Sequence, residues 1–228
     1  NDFSLSKNLA KEHPRKLNEM IEVFMEQAVE NHVLPLDTRL LDRMDAKTAG
    51  RIDLMDGRTS LTVFPGMIGM AEDTFLNVKN TSSRVTAVVE SPTGEEANGV
   101  ILAQGGSHSG WALYVTDGYP AFTYNFLQHQ ITSLKSSERL PNGRSTITYT
   151  FDYDGGGRGK GGTAILAVNG NEVARARIER TIMNAYTVDE TTDVGVDLST
   201  QVAQNIFPTA KDSLFTGLIQ NVTVEIVE

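Results

Sequence analysis

Two aspartates beside a run of glycines are the residues whose types and spacing come nearest to a metal site. Asp152 and Asp154 directly precede residues 155–162, six of which are glycine. Calcium accepts carboxylate oxygens in irregular cages, so this pair is a candidate calcium site. An EF-hand is excluded, because Gly156 and Thr163 stand where it requires an oxygen ligand and a bidentate glutamate. The alternative, a solvated loop without a metal, is the more ordinary interpretation and is favoured.

Phosphate-binding motifs occur in the same stretch but lack their context. Gly157, Gly159 and Gly162 match G-x-G-x-x-G, which in a nucleotide site must open a helix. Here residues 163–168 alternate like a strand, which argues against nucleotide binding. Gly161 also stands where a phosphate-binding loop needs a serine or threonine for magnesium.

Aromatic residues provide a second candidate site, this one for a sugar. Trp111, the only tryptophan, alternates with Leu113 and Val115 in a predicted strand, which favours a place in the core. If that strand faced outward instead, Trp111 with Tyr114 and Tyr124 would form a surface on which a pyranose ring stacks. Both interpretations stay open at the level of sequence.

The sequence gives little indication of a catalytic site. The four histidines, at positions 13, 32, 108 and 129, are too scattered to propose metal ligation, and the chain has no cysteine. A glycosidase needs two carboxylates across the scissile bond, and only Asp152 and Asp154 have a suitable spacing. The acidic run of Asp189, Glu190, Asp193 and Asp197 is interpreted as solvated, with the alternative that it joins the first two aspartates around one cation.

Strands must position these residues. The pattern of polar and apolar residues predicts eleven strands separated by short turns: 59–64, 74–78, 83–90, 99–104, 110–116, 121–126, 130–133, 145–151, 163–168, 172–178 and 216–227. Asn169-Gly170 is a strong hairpin signal. The predicted fold class is therefore mainly β, an antiparallel sandwich or jelly roll, preceded by one amphipathic helix.

The helix is predicted at residues 11–31. Leu17, Met20, Ile21 and Phe24 recur on one face of a 3.6-residue period, and Pro14 suits the first turn. A helix of this length with such a stripe needs a partner, because it would be marginal alone. We divide the chain into a helical segment at 1–37, a charged linker at 38–57 and the β-sandwich at 58–228.

The composition of the chain narrows the range of expected binding partners. The 228 residues carry a formal net charge of −9, which argues against nucleic acid, because binding to phosphates depends on lysine and arginine. No apolar run is long enough to span a membrane, so none is expected as a partner. The absence of cysteine leaves the redox compartment undecided.

Several blocks, in the same order, resemble the end of large bacterial arylsulfatases. Near the N-terminus these are Asp2-Phe3-Ser4, Asn8-Leu9-Ala10 and the stretch 31–37 after the helix. Farther along they are 99–106, 110–115, Tyr124-Asn125-Phe126, the glycine-rich stretch, Asp189-Glu190-Thr191 and Asp193-Val194-Gly195. The resemblance implies a concanavalin A-like sandwich that follows a sulfatase catalytic domain.

The same resemblance limits the expected function. Such sulfatases use a formylglycine made within a C/S-x-P-x-R motif, together with bound calcium, and this chain has no such motif. We therefore expect no catalytic residue and no cofactor here, while calcium and formylglycine belong to a longer parent. The localisation stays unknown from the sequence, and a periplasmic or secreted parent is one option. The expected role is to support the upstream catalytic domain or its substrate entrance, with self-association through the helix. The alternative is a carbohydrate-binding module with a glycan as its partner.

Overall fold

The N-terminal part of the chain is built around one helix. The computed structural model describes residues 3, 4, 6–36, 38, 39, 42, 46, 48–92 and 94–227. The chain divides into two compact units, Asn1–Arg43 and Met44–Glu228. In the first, helix α1 spans Pro14–Glu30 and begins at the proline, as its missing N–H allows. Its stripe of Leu17, Met20, Ile21 and Phe24 is 40–61% exposed. None of the described helices is long and apolar enough to cross a membrane.

The second unit is a sandwich of two antiparallel sheets. In chain order its strands are β1 (Ser60–Val63), β2 (Ser83–Glu90), β3 (Gly99–Gly105), β4 (Gly110–Thr116), β5 (Tyr119–Phe126), β6 (Gln130–Lys135), β7 (Arg144–Tyr153), β8 (Gly162–Val168), β9 (Asn171–Ile178), β10 (Thr192–Val194) and β11 (Leu218–Ile226). The six-stranded sheet has the order β1-β11-β2-β7-β8-β9, and the five-stranded sheet has the order β10-β3-β4-β5-β6. The predicted class, mainly β with an antiparallel sandwich preceded by one helix, is confirmed.

The core lies between the sheets because the strands alternate. On β7, Ile147, Tyr149 and Phe151 are buried while the threonines between them are partly exposed. The five-stranded sheet contributes Trp111 and Phe122, and Phe122 stacks on Tyr149 with ring centroids 3.6 Å apart. Such aromatic contacts across the two sheets add to the free energy of burial.

The outer face of the five-stranded sheet is covered as well. Residues 195–214, here named the cover segment, place Val202, Ala203 and Phe207 against small apolar side chains of β3, β4 and β5. Val100 at the start of β3 donates its backbone N–H to Ser213 O at 2.8 Å. The cover segment explains why every residue of β3 and β4 is buried, on both faces of the sheet.

The glycine-rich stretch joins β7 to β8 as a hairpin loop, as the sequence predicts. Tyr153 pairs with Gly162 at its base. The Tyr153 hydroxyl donates to Gly157 O at 2.5 Å and accepts from Lys160 N at 2.9 Å. At the next turn, Asn169 and Gly170 both have positive φ, 50° and 84°, as a two-residue hairpin requires.

Candidate binding cleft

The three aromatic residues considered for sugar stacking are buried. The exposed fractions of Trp111, Tyr114 and Tyr124 are 3%, 1% and 6%. Trp111 lies between the sheets and donates its Nε1–H to Gln104 Oε1 at 3.0 Å. Tyr114 points to the opposite face, where Phe207 of the cover segment packs edge-on against it at 5.4 Å. This corrects the stacking interpretation, because no ring face is open to a pyranose in this structure, and it supports the core interpretation of Trp111.

A small cavity of about 30 Å³ lies beside these rings, between the sheets. It is lined in part by Tyr124, Tyr149 and Tyr186. Burial raises the pKa of all three phenols above the ordinary value of 10, so they stay protonated at neutral pH. A cavity of this size holds ordered water rather than a sugar.

The two aspartates beside the glycine-rich loop do not converge on a cation. Both carboxylate oxygens of Asp154 accept from the Arg177 guanidinium, and the Nη1–Oδ1 distance is 2.8 Å. These hydrogen bonds lower the pKa of Asp154. Asp152 is exposed on β7. Among the described residues no group of three or more His, Cys, Asp and Glu is arranged to hold a metal. The structure thus places a guanidinium beside one of the two carboxylates that were considered as candidate calcium ligands.

The acidic run from Asp189 to Asp197 is only partly solvated, which corrects the expectation from its charge. Asp193 and Asp197 are each 1% exposed. Asp193 accepts from three donors: Gly69 N at 2.7 Å, Thr191 Oγ1 at 3.0 Å and Leu198 N at 3.3 Å. These donors satisfy the hydrogen-bonding capacity of both oxygens of this buried carboxyl group.

A cleft of about 490 Å³ opens on the sandwich unit. Most of its lining comes from three stretches of the chain, within residues 51–58, 71–79 and 184–191, with Ala46 and Ile226 in addition. Except for Arg58, the first stretch lies in the segment predicted as a linker. We name this feature the Glu72 cleft, after the carboxylate that connects its walls.

Glu72 is held in place from two sides. One of its carboxylate oxygens accepts from Lys79 Nζ and the other from Tyr186 N, the latter at 2.9 Å. The side chains of Lys79 and Glu72 are only 6% and 16% exposed, and Lys79 Nζ lies 5.1 Å from the Tyr186 ring centroid. A carboxylate fixed in this way presents a defined hydrogen-bonding surface without further loss of side-chain entropy.

The rim of the cleft carries further polar groups. Arg51 Nη1 donates to Asp73 Oδ2 at 2.7 Å, whereas Arg58 is exposed and has no ion-pair partner among the described residues. Asn184 Oδ1 accepts from Arg158 Nη1 at 3.3 Å, which connects the glycine-rich loop to the cleft. Glu190 accepts from Thr200 Oγ1 at 2.6 Å. The sequence shows which of these residues are charged, but it predicts none of these contacts.

The carboxylates that line the cleft accept hydrogen bonds or ion pairs from donors within the protein. This holds for Glu72, Asp73 and Glu190, and Asp53 and Asp189 accept from Met55 N and Thr187 Oγ1. No serine, cysteine or histidine is among the described residues that line the cleft.

Among the comparisons with known proteins, similarity to this chain is found in solved structures. No family model and no curated protein matches the sequence, so the resemblance to arylsulfatases has no support from either. A carbohydrate-binding domain (CBM40) of the Ruminococcus gnavus IT-sialidase, bound to α2,6-sialyllactose, is similar with a TM-score of 0.49 and 14% identity, over 74% of this chain and 94% of that one. The leech intramolecular trans-sialidase has a TM-score of 0.49 and 10% identity, over 75% and 26%. The mouse laminin α1 chain, domains LG4-5, has a TM-score of 0.45 and 15% identity, over 74% and 39%.

Proposed function

We propose that the sandwich is a carbohydrate-binding module whose ligand occupies the Glu72 cleft. The observation that carries this proposal is the cleft itself, which has the volume of a small-molecule site and a preorganised carboxylate in its wall. In this proposal the ligand binds at a polar cleft and not at the aromatic residues considered in the sequence analysis.

The composition of the cleft suits a polyhydroxylated ligand. Its planar polar groups are carboxylates, guanidinium groups and the amides of Asn77 and Asn184, and each of these can bond two neighbouring hydroxyls at once. Val188, 88% exposed at the edge, and Met55 offer apolar surface to the C–H faces of a sugar ring. Cations and anions are mixed along the walls, which fits hydroxyl recognition better than binding of a strongly charged polymer.

Binding is expected to depend on Arg58. We expect a saccharide panel measured by isothermal titration calorimetry to yield a ligand, and Arg58→Ala to weaken it roughly 10- to 100-fold, because a hydrogen bond to a charged group contributes about 1.5–3 kcal/mol. Sialyllactose, the ligand in the Ruminococcus domain structure, and lactose, its uncharged match, belong in that panel.

Arg144→Ala is the matched control. Arg144 is exposed at the start of β7 and is not among the residues that line the cleft, so its loss should leave the affinity unchanged. An absence of binding across neutral and acidic saccharides would contradict the proposed function. Equal weakening by both substitutions would place the ligand elsewhere.

A second candidate is the noncatalytic C-terminal portion of an arylsulfatase-like enzyme. The observation that favours it is helix α1, which forms as the resemblance implies and keeps an exposed apolar stripe. Under this proposal the chain alone is inert toward p-nitrophenyl sulfate. Turnover of that ester by the isolated chain would refute it.

A further inference from the structure

The cover segment contains a buried carboxyl group with an unsatisfied oxygen. Asp197 is 1% exposed, and its Oδ2 accepts from Val202 N at 2.8 Å. Its Oδ1 has no hydrogen-bond partner within the described part of the chain. An ionised carboxylate in this position would lack most of the donors that replace water, which makes its charge costly.

The surroundings of Asp197 favour its uncharged form. Burial is the main cause that raises its pKa, to about 8, and the Val202 N–H bond opposes this. The charged groups that act on it are Asp193 on β10 and Glu190 just before β10, and both raise the pKa further. Asp193, in contrast, accepts hydrogen bonds from three donors.

The same segment is connected to the Glu72 cleft. Thr200, three residues after Asp197, donates its hydroxyl to Glu190 Oε1 at 2.6 Å, and Glu190 lines the cleft. The Thr200 Oγ1 atom also accepts from Ser107 N at 3.0 Å, beyond the end of β3. A movement of the cover segment therefore breaks the hydrogen bond between Thr200 and Glu190 and changes how the Glu190 carboxylate is held in the cleft.

We propose that the cover segment is a pH-sensitive latch on the Glu72 cleft, closed while Asp197 is uncharged and released as Asp197 ionises. Release frees Glu190 from Thr200 and uncovers the apolar outer face of β3, β4 and β5. The part of this proposal that concerns ligand affinity rests on the proposed carbohydrate binding, whereas the latch itself does not.

The direction of the effect follows from proton linkage. In the open segment Asp197 regains an ordinary carboxyl pKa of about 4, whereas in the closed segment it titrates near 8. Opening therefore releases a proton between about pH 4 and pH 8, and the opening equilibrium rises up to about tenfold per pH unit in that window. Above about pH 8 both states are ionised and the dependence ends.

Hydrogen exchange tests the latch without a ligand. On the full chain, corrected for the intrinsic pH dependence of exchange, amides of the cover segment are expected to lose protection by up to about tenfold per pH unit from pH 5 to pH 8. Amides of β7 should stay more protected throughout. Asp197→Asn, which keeps the shape of the uncharged carboxyl, should remove the slope.

Asp117→Asn is the matched control. It makes the same chemical change at an exposed turn, and it should retain the slope of the wild-type chain. Wild-type protection that does not vary from pH 5 to pH 8, or an unchanged slope in Asp197→Asn, would overturn the latch. So would equal protection of the cover segment and β7, which would indicate global unfolding only.

Titration of lactose and sialyllactose at pH 5.5 and pH 8 separates the latch from the proposed function. Wild-type affinity is expected to fall at the higher pH, and the affinity of Asp197→Asn to stay constant. A pH-dependent loss of protection with neither sugar bound would support the latch and count against the proposed function. Binding of a sugar without a pH-dependent loss of protection would support the proposed function and overturn the latch.

Discussion

Trp111→Ala is expected to lower the free energy of unfolding by about 3–5 kcal/mol, the cost of removing a large buried aromatic side chain. Trp111 is 3% exposed and stacks near Phe122, with ring centroids 6.1 Å apart. The substitution also leaves Gln104 Oε1 without its donor in a side chain that is itself 2% exposed. Chemical denaturation followed by far-UV circular dichroism measures the change, since the substitution removes the only tryptophan.

Two variants show whether burial is the cause. Ile131→Ala removes a large apolar side chain that is 54% exposed on β6 of the same sheet, and it should change stability far less. Trp111→Phe keeps an aromatic ring but loses the hydrogen bond to Gln104, so it should fall between the other two. If Trp111→Ala kept full stability and abolished saccharide binding, the ring would be a binding platform and the core assignment would fail.

Period-two alternation predicted most of the sandwich. Strands β2 and β4 have the predicted bounds, and the other predicted strands that form agree to within two residues at each end. The predicted strand at 74–78 does not form, and a 3-10 turn at Glu72–Thr74 lies at its start. Its place is fixed by Glu72, whose partner Tyr186 lies 114 residues later, and such a long-range contact leaves no local signal.

Strand β10, in contrast, forms although the sequence pattern did not predict it. Thr192–Val194 has three residues and lies inside an acidic run, so charge suggested a solvated loop. Backbone donors at Gly69 and Leu198 satisfy the Asp193 carboxylate and allow it to be buried. Single-sequence patterns do not show which backbone N–H groups reach a given carboxylate.

The sequence shows the charged residues of the candidate site but not their arrangement. The charges of Arg51, Glu72 and Glu190 are visible in the sequence, but their convergence depends on how the loops of two sheets meet. The sequence favoured a core position for Trp111, but it did not predict the burial of Tyr114, because the cover segment that places Phe207 against Tyr114 has no regular period. The cover segment buries the outer face of the five-stranded sheet, and the alternation within the strands does not predict this.

Asp197→Asn is expected to stabilise the protein at neutral and mildly alkaline pH. Burial raises the pKa of Asp197 from 3.8 to about 8, so the folded state retains a proton that the unfolded state has lost between those values. Folded-state stability from this group is complete below about pH 4 and declines as the pH rises to about 8. Asparagine has no such titration.

The variant should therefore match the wild-type chain near pH 4 and exceed its unfolding free energy by about 2–5 kcal/mol near pH 8. The lower figure applies if the cover segment opens before the rest of the sandwich unfolds, because opening lets the carboxylate reach water at a smaller cost. Denaturant titrations of both chains at several pH values between 4 and 9 measure the difference. A constant gap across that range would mean that the substitution acts through packing, and a variant less stable at pH 8 would show that the Asp197 carboxylate is stabilised by a group such as a bound cation.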